Sequence, residues 1–273
     1  MAAPQIHPRA LVHPQAKIGE NTIIGPDVII DEHVEIGTDC EIRARAVITG
    51  YTKMGNHNQV GYGAIIGSEP QDVSFKNEET YVNIGDHNIF REYVTVNRGT
   101  KAGTATTIGN HNMLFTGAHV AHNVTIGNHA TLINNVLLAG YVEIQDRAFL
   151  GGDVVVHQFT RIGSYAMVRG QTRLGMDIPP FCMAVDTNVV SGLNRVGLRR
   201  AGFAPSERRL LQEAFNVIYK QNFNRSDAVA YLRANSPFME SALVQQMCDF
   251  IKGTRRGTAG LYVKGKRVIE DED

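Results

Sequence analysis

GAHVAHNVTIGNHATLINNVLLAG, residues 117–140, repeats itself at every sixth position. Its large aliphatics Val120, Ile126, Leu132 and Leu138 stand six apart, each preceded two places earlier by a small or β-branched residue, Ala118, Val124, Ala130 or Val136. The grid extends outward from Ile6 to Leu174, and on it only Asp72, Glu78 and Ala102 are not large apolar residues. Glycine often follows a grid residue, as at Gly19, Gly25, Gly109 and Gly127. An amphipathic helix requires a period of 3.6, and ordinary hairpins require a turn signal every second strand, so neither explains the pattern. A solenoid does. Short strands of about four residues, each closed by a turn where Gly, Asn or Asp takes positive φ cheaply, would stack in parallel with three hexads to a triangular coil. At ~4.8 Å between coils, roughly nine or ten of them make a rod on the order of 45 Å long.

Breaks in the grid predict where the rod is decorated. GSEPQDVSFKNEETY (67–81) and NRGTKAGTATT (97–107) place polar residues where the core would be. Both read as loops thrown outward from corners, over about 67–83 and 97–107, and rigid scaffolds often carry function on such loops. Past residue 190 the grid ends. SERRLLQEAFNVIYK, SDAVAYLRA and SPFMESALVQQMCDFIKG are helix-like, with Ser206, Ser226 and Ser236 as N-caps and Pro237 at a first helical position. The expected fold is therefore mainly β: a parallel β-helix of hexapeptide repeats over 1–190, then a C-terminal α-helical domain over 191–273.

Composition narrows the function classes. Among 273 residues Lys plus Arg, 27, equals Asp plus Glu, 27, so overall charge gives no reason to expect nucleic acid or anionic membrane as a partner. Cys40, Cys182 and Cys248 are odd in number and far apart, which argues against a disulfide framework or a CxxC metal site. No stretch approaches the roughly 18 apolar residues of a membrane helix, and MAAPQIHPRA lacks the pattern of a secretory signal. The expectation is a soluble cytoplasmic protein that is not integral to a membrane. Between 191 and 267 basic residues outnumber acidic ones, before the acidic end EDED, which suits either a solvated helix surface or a dock for an acidic partner.

Register also separates the histidines. His33, His57, His87, His111 and His129 all lie three places past a grid residue, which reads as turn chemistry. His119, His122 and His157 break that phase. From 108 to 174 no insertion disturbs the count, so residues eighteen apart should stack: Gly140 over His122, and Gln158, beside His157, over Gly140. A general base next to a bare backbone N–H suits acyl transfer, where a nucleophile loses its proton while an oxyanion is held. Gly140 could equally serve a tight corner. Zinc is the rival use for His119, His122 and His157, but three ligands must converge within about 2.1 Å of the metal, a geometry that one chain supplies poorly and a neighbouring subunit could complete.

Taken as an ordered set, GAHVAHNVTIGN, LLAG, VVHQF (155–159), DIPPF (177–181) and GLNRVGLRRAGF (192–203), with PQD and NRGT in the loops, strongly resemble the UDP-N-acetylglucosamine O-acyltransferases that begin lipid A synthesis. The resemblance implies a left-handed β-helix, a homotrimer with active sites between subunits, and transfer of a 3-hydroxyacyl chain to the sugar 3-position. The donor would be carried on the phosphopantetheine of acyl carrier protein, with no metal and no cofactor bound by the enzyme. It further implies His122 as general base, Gly140 as oxyanion donor and Asp72 as a carboxylate near both. His119, His157, Gln158, Asn194 and Arg200 match positions that bind the nucleotide sugar, and Gly170 matches the position that sets acyl length. Three residues depart from the family pattern: Tyr141 where better-known members carry His, Ser74 where many carry Lys, and Val196 where an acidic residue is usual. All three should border the sugar, and the departures leave open N-acylation of a UDP-3-amino-GlcNAc analogue. A zinc-dependent enzyme like the γ-carbonic anhydrases and a purely structural β-helix are more distant readings.

Overall fold

The computed structural model describes residues 2–221 and 223–262; the end of the chain from 263, including the acidic EDED, lies outside the described residues. The hexads wind into a left-handed parallel β-helix with three faces, a first of twelve strands beginning at Gln5–Ile6, a second of nine beginning at Leu11–Val12 and a third of eight beginning at Lys17–Ile18. Each coil stacks on the next in parallel register: Ile6 faces Ile24, Val120 faces Leu138, and Leu138 faces Val156. Grid residues fill the axis. Ile30, Ile48, Ile66, Leu114, Leu132 and Leu150 are fully buried, as are the small partners Ala46, Ala118 and Ala166. Burying each Ile or Leu contributes ~1.5–3 kcal/mol, repeated coil after coil.

The strands are shorter than expected, mostly two residues, with four-residue strands at Tyr51–Met54, Ile65–Ser68, Tyr81–Ile84 and Ala105–Ile108. Those longer strands narrow the two loops to 69–80 and 98–104. Tyr81, Val82 and Asn83 are ladder residues paired with Tyr51, Thr52 and Lys53 on one side and Ala105, Thr106 and Thr107 on the other. Across the loops Met54 faces Ile84, and Ile84 faces Ile108. Both insertions are whole multiples of six residues, which is why the sequence phase survives them.

Corners carry the left-handed backbone. His57, His87, His111 and His129 adopt φ of 56°, 58°, 56° and 57° at the corner between the third and first faces, and their rings stack at 4.6, 4.7 and 4.8 Å. His33 does not join them. It sits on the corner between the second and third faces without positive φ, stacks on Tyr51 at 4.3 Å and meets Glu32 at 2.9 Å. Bulky residues also take the left-handed position, among them Tyr141 (φ 60°) and Phe159 (φ 64°), at a cost of roughly 1 kcal/mol each. Inside the histidine corner runs a buried ladder in which Asn88 and Asn112 donate backbone N–H groups to Asn58 and Asn88 Oδ1 at 2.8 and 2.9 Å.

The tail comprises α1 (Arg195–Arg200), α2 (Pro205–Lys220), α3 (Arg225–Ala234) and α4 (Ala242–Lys252). Ser206, Ser226 and Ser236 are not the caps. Asn224 caps α3 by accepting from Asp227 N at 2.8 Å, and Ser241 caps α4. At α2 the Glu207 carboxylate reaches back to Ala204 N at 2.8 Å, so helix formation extends one turn position earlier than the serines suggested. Pro237 precedes a short 3₁₀ turn, Phe238–Glu240. Strand Val189–Leu193 runs across residue 190, pairing antiparallel with Cys182–Val185 and parallel with Gly260–Leu261, so the chain returns to the solenoid after α4. A buried clamp joins the two parts: Asp177 accepts from Arg161 N at 2.8 Å, Arg161 Nε at 2.9 Å and Thr254 Oγ1 at 2.8 Å, while the Arg161 guanidinium lies 4.2 Å over Phe250.

The outward residues differ by face. The third presents Lys17, Glu35, Lys53, Thr107 and Glu143; the second presents Leu11, Ile29, Ile65, Leu137 and Val155, exposed, and the first Ile23 and Phe149.

Candidate active site

Both loops leave the corner between the second and third faces, and His122 sits on that same corner directly after strand His119–Val120. NRGT fixes the first loop. Asn97 Nδ2 donates to Ser68 Oγ at 2.9 Å and to Glu69 O at 2.8 Å, and the Arg98 guanidinium lies 5.3 Å over Phe75. Thus held, PQD turns back on itself: Asp72 Oδ1 accepts from Ser74 N and Ser74 Oγ, both at 2.8 Å, and Asp72 Oδ2 lies 3.9 Å from His122 Nε2. The two Ser74 donors hold the Asp72 carboxyl below its ordinary pKa, with a smaller contribution from His122, so it is a carboxylate at neutral pH.

Gly140 lies beneath the His122 ring. A Cβ there would fall 2.3 Å from Cε1 and 2.6 Å from Nε2, and Gly140 does not have positive φ, so this glycine serves the imidazole and not the corner. The coils are tied through Tyr141 N to His122 O at 3.1 Å and Phe159 N to Gly140 O at 3.2 Å, while among the described residues nothing accepts from the Gly140 N–H. His122 is 6% exposed. A base, a carboxylate beside its Nε2 and a free amide within the same few ångströms can take a proton from a hydroxyl and hold the oxyanion formed at an adjacent carbonyl.

His119 joins this group from the outer row of the second face, its Nδ1 2.7 Å from Thr95 Oγ1; burial, then the charge of His122, lowers its pKa. Tyr141 also joins, with its ring edge-on to His122 at 5.4 Å. Ser74 is present through Asp72. His157 and Gln158 are exposed on the same corner two coils on. Gly170, Asn194 and Arg200 do not meet His122 within one chain. Gly170 lies on the corner between the first and second faces, close-packed against Gly152, Asn194 is the cap of α1, accepting from Gly197 N at 3.0 Å and donating to Tyr165 O at 2.9 Å, and Arg200 is exposed at the end of α1. Among the described residues no three His, Cys, Asp or Glu side chains are grouped to hold a metal.

Thr100 and Asn123 escaped the sequence reading. Asn123 Oδ1 lies 3.1 Å from His122 Nδ1 and accepts from Thr100 N at 3.1 Å and Thr100 Oγ1 at 2.9 Å. The signal was in plain view, an Asn at the left-handed place beside the off-phase histidine and a Thr closing NRGT, but their meeting depends on the loop conformation. A concavity of about 440 Å³ between α3 and α4, lined by Arg225, Val229, Arg233 and Ile251, contains none of the candidate catalytic or substrate-binding residues.

Residues 15–50 match the bacterial transferase hexapeptide family, and residues 177–259 match UDP-N-acetylglucosamine O-acyltransferase, domain 2. The chain is 38% identical over 256 residues to the acyl-[acyl-carrier-protein]–UDP-N-acetylglucosamine O-acyltransferase of Syntrophobacter fumaroxidans, covering 93% of this chain and 98% of that protein. Among solved structures, the UDP-N-acetylglucosamine acyltransferase of Bacteroides fragilis superposes with a TM-score of 0.90 at 42% identity, covering 93% of this chain and 99% of the other. That of Francisella novicida gives 0.90 at 34% identity, with 95% of each chain covered. With its fold, its corner site and relatives matched nearly end to end, the chain belongs to the acyl-[acyl-carrier-protein]–UDP-N-acetylglucosamine O-acyltransferase family.

Proposed function

We propose that this protein transfers a 3-hydroxyacyl chain from acyl carrier protein to the 3-hydroxyl of UDP-N-acetylglucosamine, the first step of lipid A synthesis. The observation that carries the reading is the His122 ring resting on Gly140 beside Asp72. His122 Nε2 takes the proton of the sugar hydroxyl as its oxygen attacks the thioester carbonyl. The Gly140 N–H holds the tetrahedral oxyanion, and Asp72 faces the imidazolium. Collapse breaks the C–S bond, and the imidazolium returns its proton to the phosphopantetheine thiolate, which leaves an ester and the free carrier thiol.

Trimeric assembly is supported by the exposed apolar row of the second face, which a neighbouring copy would cover, and by the separation of Gly170, Asn194 and Arg200 from His122 within one chain. In this reading a neighbouring copy supplies the nucleotide contacts of Asn194 and Arg200, and His119, His157 and Gln158 line the cleft. Arg195, Arg208 and Arg209 in the basic tail offer the acidic carrier protein a landing surface. Both substrates are water-soluble, in keeping with cytoplasmic action, and among the described residues no helix is long and apolar enough to cross a membrane. A side-by-side assay of UDP-GlcNAc and UDP-3-amino-GlcNAc with 3-hydroxyacyl carriers of several lengths tests the reading. Ester formation on UDP-GlcNAc is expected; turnover of the amine alone would move the activity to N-acylation, and failure of both acceptors would overturn the proposal.

A further inference from the structure

The half-buried Tyr141 turns its hydroxyl toward the second loop. It lies 3.1 Å from Thr100 Oγ1, and its ring is fixed between His122, edge-on, and Phe159, stacked at 5.0 Å. Thr100 is 3% exposed. Each proton in this cluster can be assigned from donor and acceptor chemistry. The Thr100 backbone N–H can only donate, so the Asn123 atom that it meets at 3.1 Å is the carboxamide oxygen. That oxygen cannot donate, so the Thr100 hydroxyl, 2.9 Å away, gives it its single proton. Thr100 Oγ1 is thereby left as an acceptor, and the Tyr141 hydroxyl donates to it. His122 Nδ1, 3.1 Å from the same Asn123 oxygen, must carry a proton to bond there. A neutral imidazole with its proton on Nδ1 has its lone pair on Nε2, the nitrogen that faces Asp72.

We infer that Tyr141 and Thr100 are positioning residues which, acting through Asn123, keep the His122 proton on Nδ1 and leave Nε2 free as the base. The inference rests on the acyl-transfer reading for its kinetic consequence but not for the tautomer, which is a property of the free protein. Tyr141 is then an anchor for the base.

The test uses the full-length protein with ¹⁵N-labelled histidine, the His122 signal being identified by its loss in His122→Gln. Long-range ¹H–¹⁵N correlation should give the Nδ1–H tautomer in wild type and in Thr100→Ser, which keeps the hydroxyl. Tyr141→Phe and Thr100→Val should each give a mixture of tautomers. In the acylation assay both should lower kcat by about tenfold while KM for the UDP-sugar changes by less than about twofold, and the double variant should be no worse than Thr100→Val alone. An Nδ1–H signal unchanged in both variants would overturn the inference. So would Tyr141→Phe raising KM alone while Thr100→Val behaves as wild type, since Tyr141 would then be a sugar contact.

Discussion

His122 and Gly140 interlock: the ring occupies the volume in which any side chain at 140 would begin. Gly140→Ala is therefore expected to displace the imidazole without disturbing the backbone, because Gly140 has ordinary φ. A shift of about 1 Å in a catalytic group costs on the order of 100-fold. Gly140→Ala should lose that much kcat with an unfolding midpoint close to wild type, and unchanged kcat would show that the ring does not rest there during turnover. At this scale the sequence was informative where the count was uninterrupted. Eighteen-residue stacking put Gly140 against His122, and phase set His119, His122 and His157 apart from the five corner histidines. It was silent on Thr100 and Asn123, whose encounter crosses a loop that no period describes. His33, at the same place in the hexad, lies in a turn as its phase suggests but without positive φ and apart from the histidine stack.

At the scale of elements, the two insertions differ in length and share one corner, so a polar interruption of the grid gathers the loops beside His122. The ladder strands take up both edges of the two insertions because Tyr81, Asn83, Ala105 and Thr107 lie on the outer row of the third face, where polar and small residues are admitted, while Val82 and Thr106 between them are buried. The helix starts were misread for a related reason: a Ser near a helix start is a weak marker when Asn224, or a Glu207 reaching backward, satisfies the same N–H groups. The join between solenoid and tail rests on Asp177, buried and meeting three donors. Asp177→Ala strands the Arg161 guanidinium in a mostly buried place, and breaking such a pair from one side costs about 3–5 kcal/mol. Denaturant unfolding should register a loss of that order, whereas a loss below about 1 kcal/mol would mean that the tail is held by its apolar contacts alone.

For the whole molecule, a three-sided rod with one polar face, one mixed face and a second face lined by exposed Leu11, Ile29, Ile65, Leu137 and Val155 is unlike a soluble monomer, which rarely leaves large contiguous apolar patches open. Leu137, on the outer row of the second face, is 44% exposed. Leu137→Glu should place a charge in the proposed contact between copies and yield monomers by light scattering, with acyl transfer falling in parallel; trimers of wild-type stability would remove the second face from the interface. The fold class was legible from the grid alone because each coil repeats one local rule, but the number of copies was not, since outer-row residues do not share the grid's period. In the proposed mechanism every step follows from His122 removing the acceptor's proton over Gly140. The most direct measurement is turnover of purified His122→Ala with 3-hydroxyacyl carrier protein and UDP-N-acetylglucosamine, alongside circular dichroism and size analysis. Loss of at least about 100-fold in kcat by a folded, assembled variant is predicted, and acylation at the wild-type rate would contradict it.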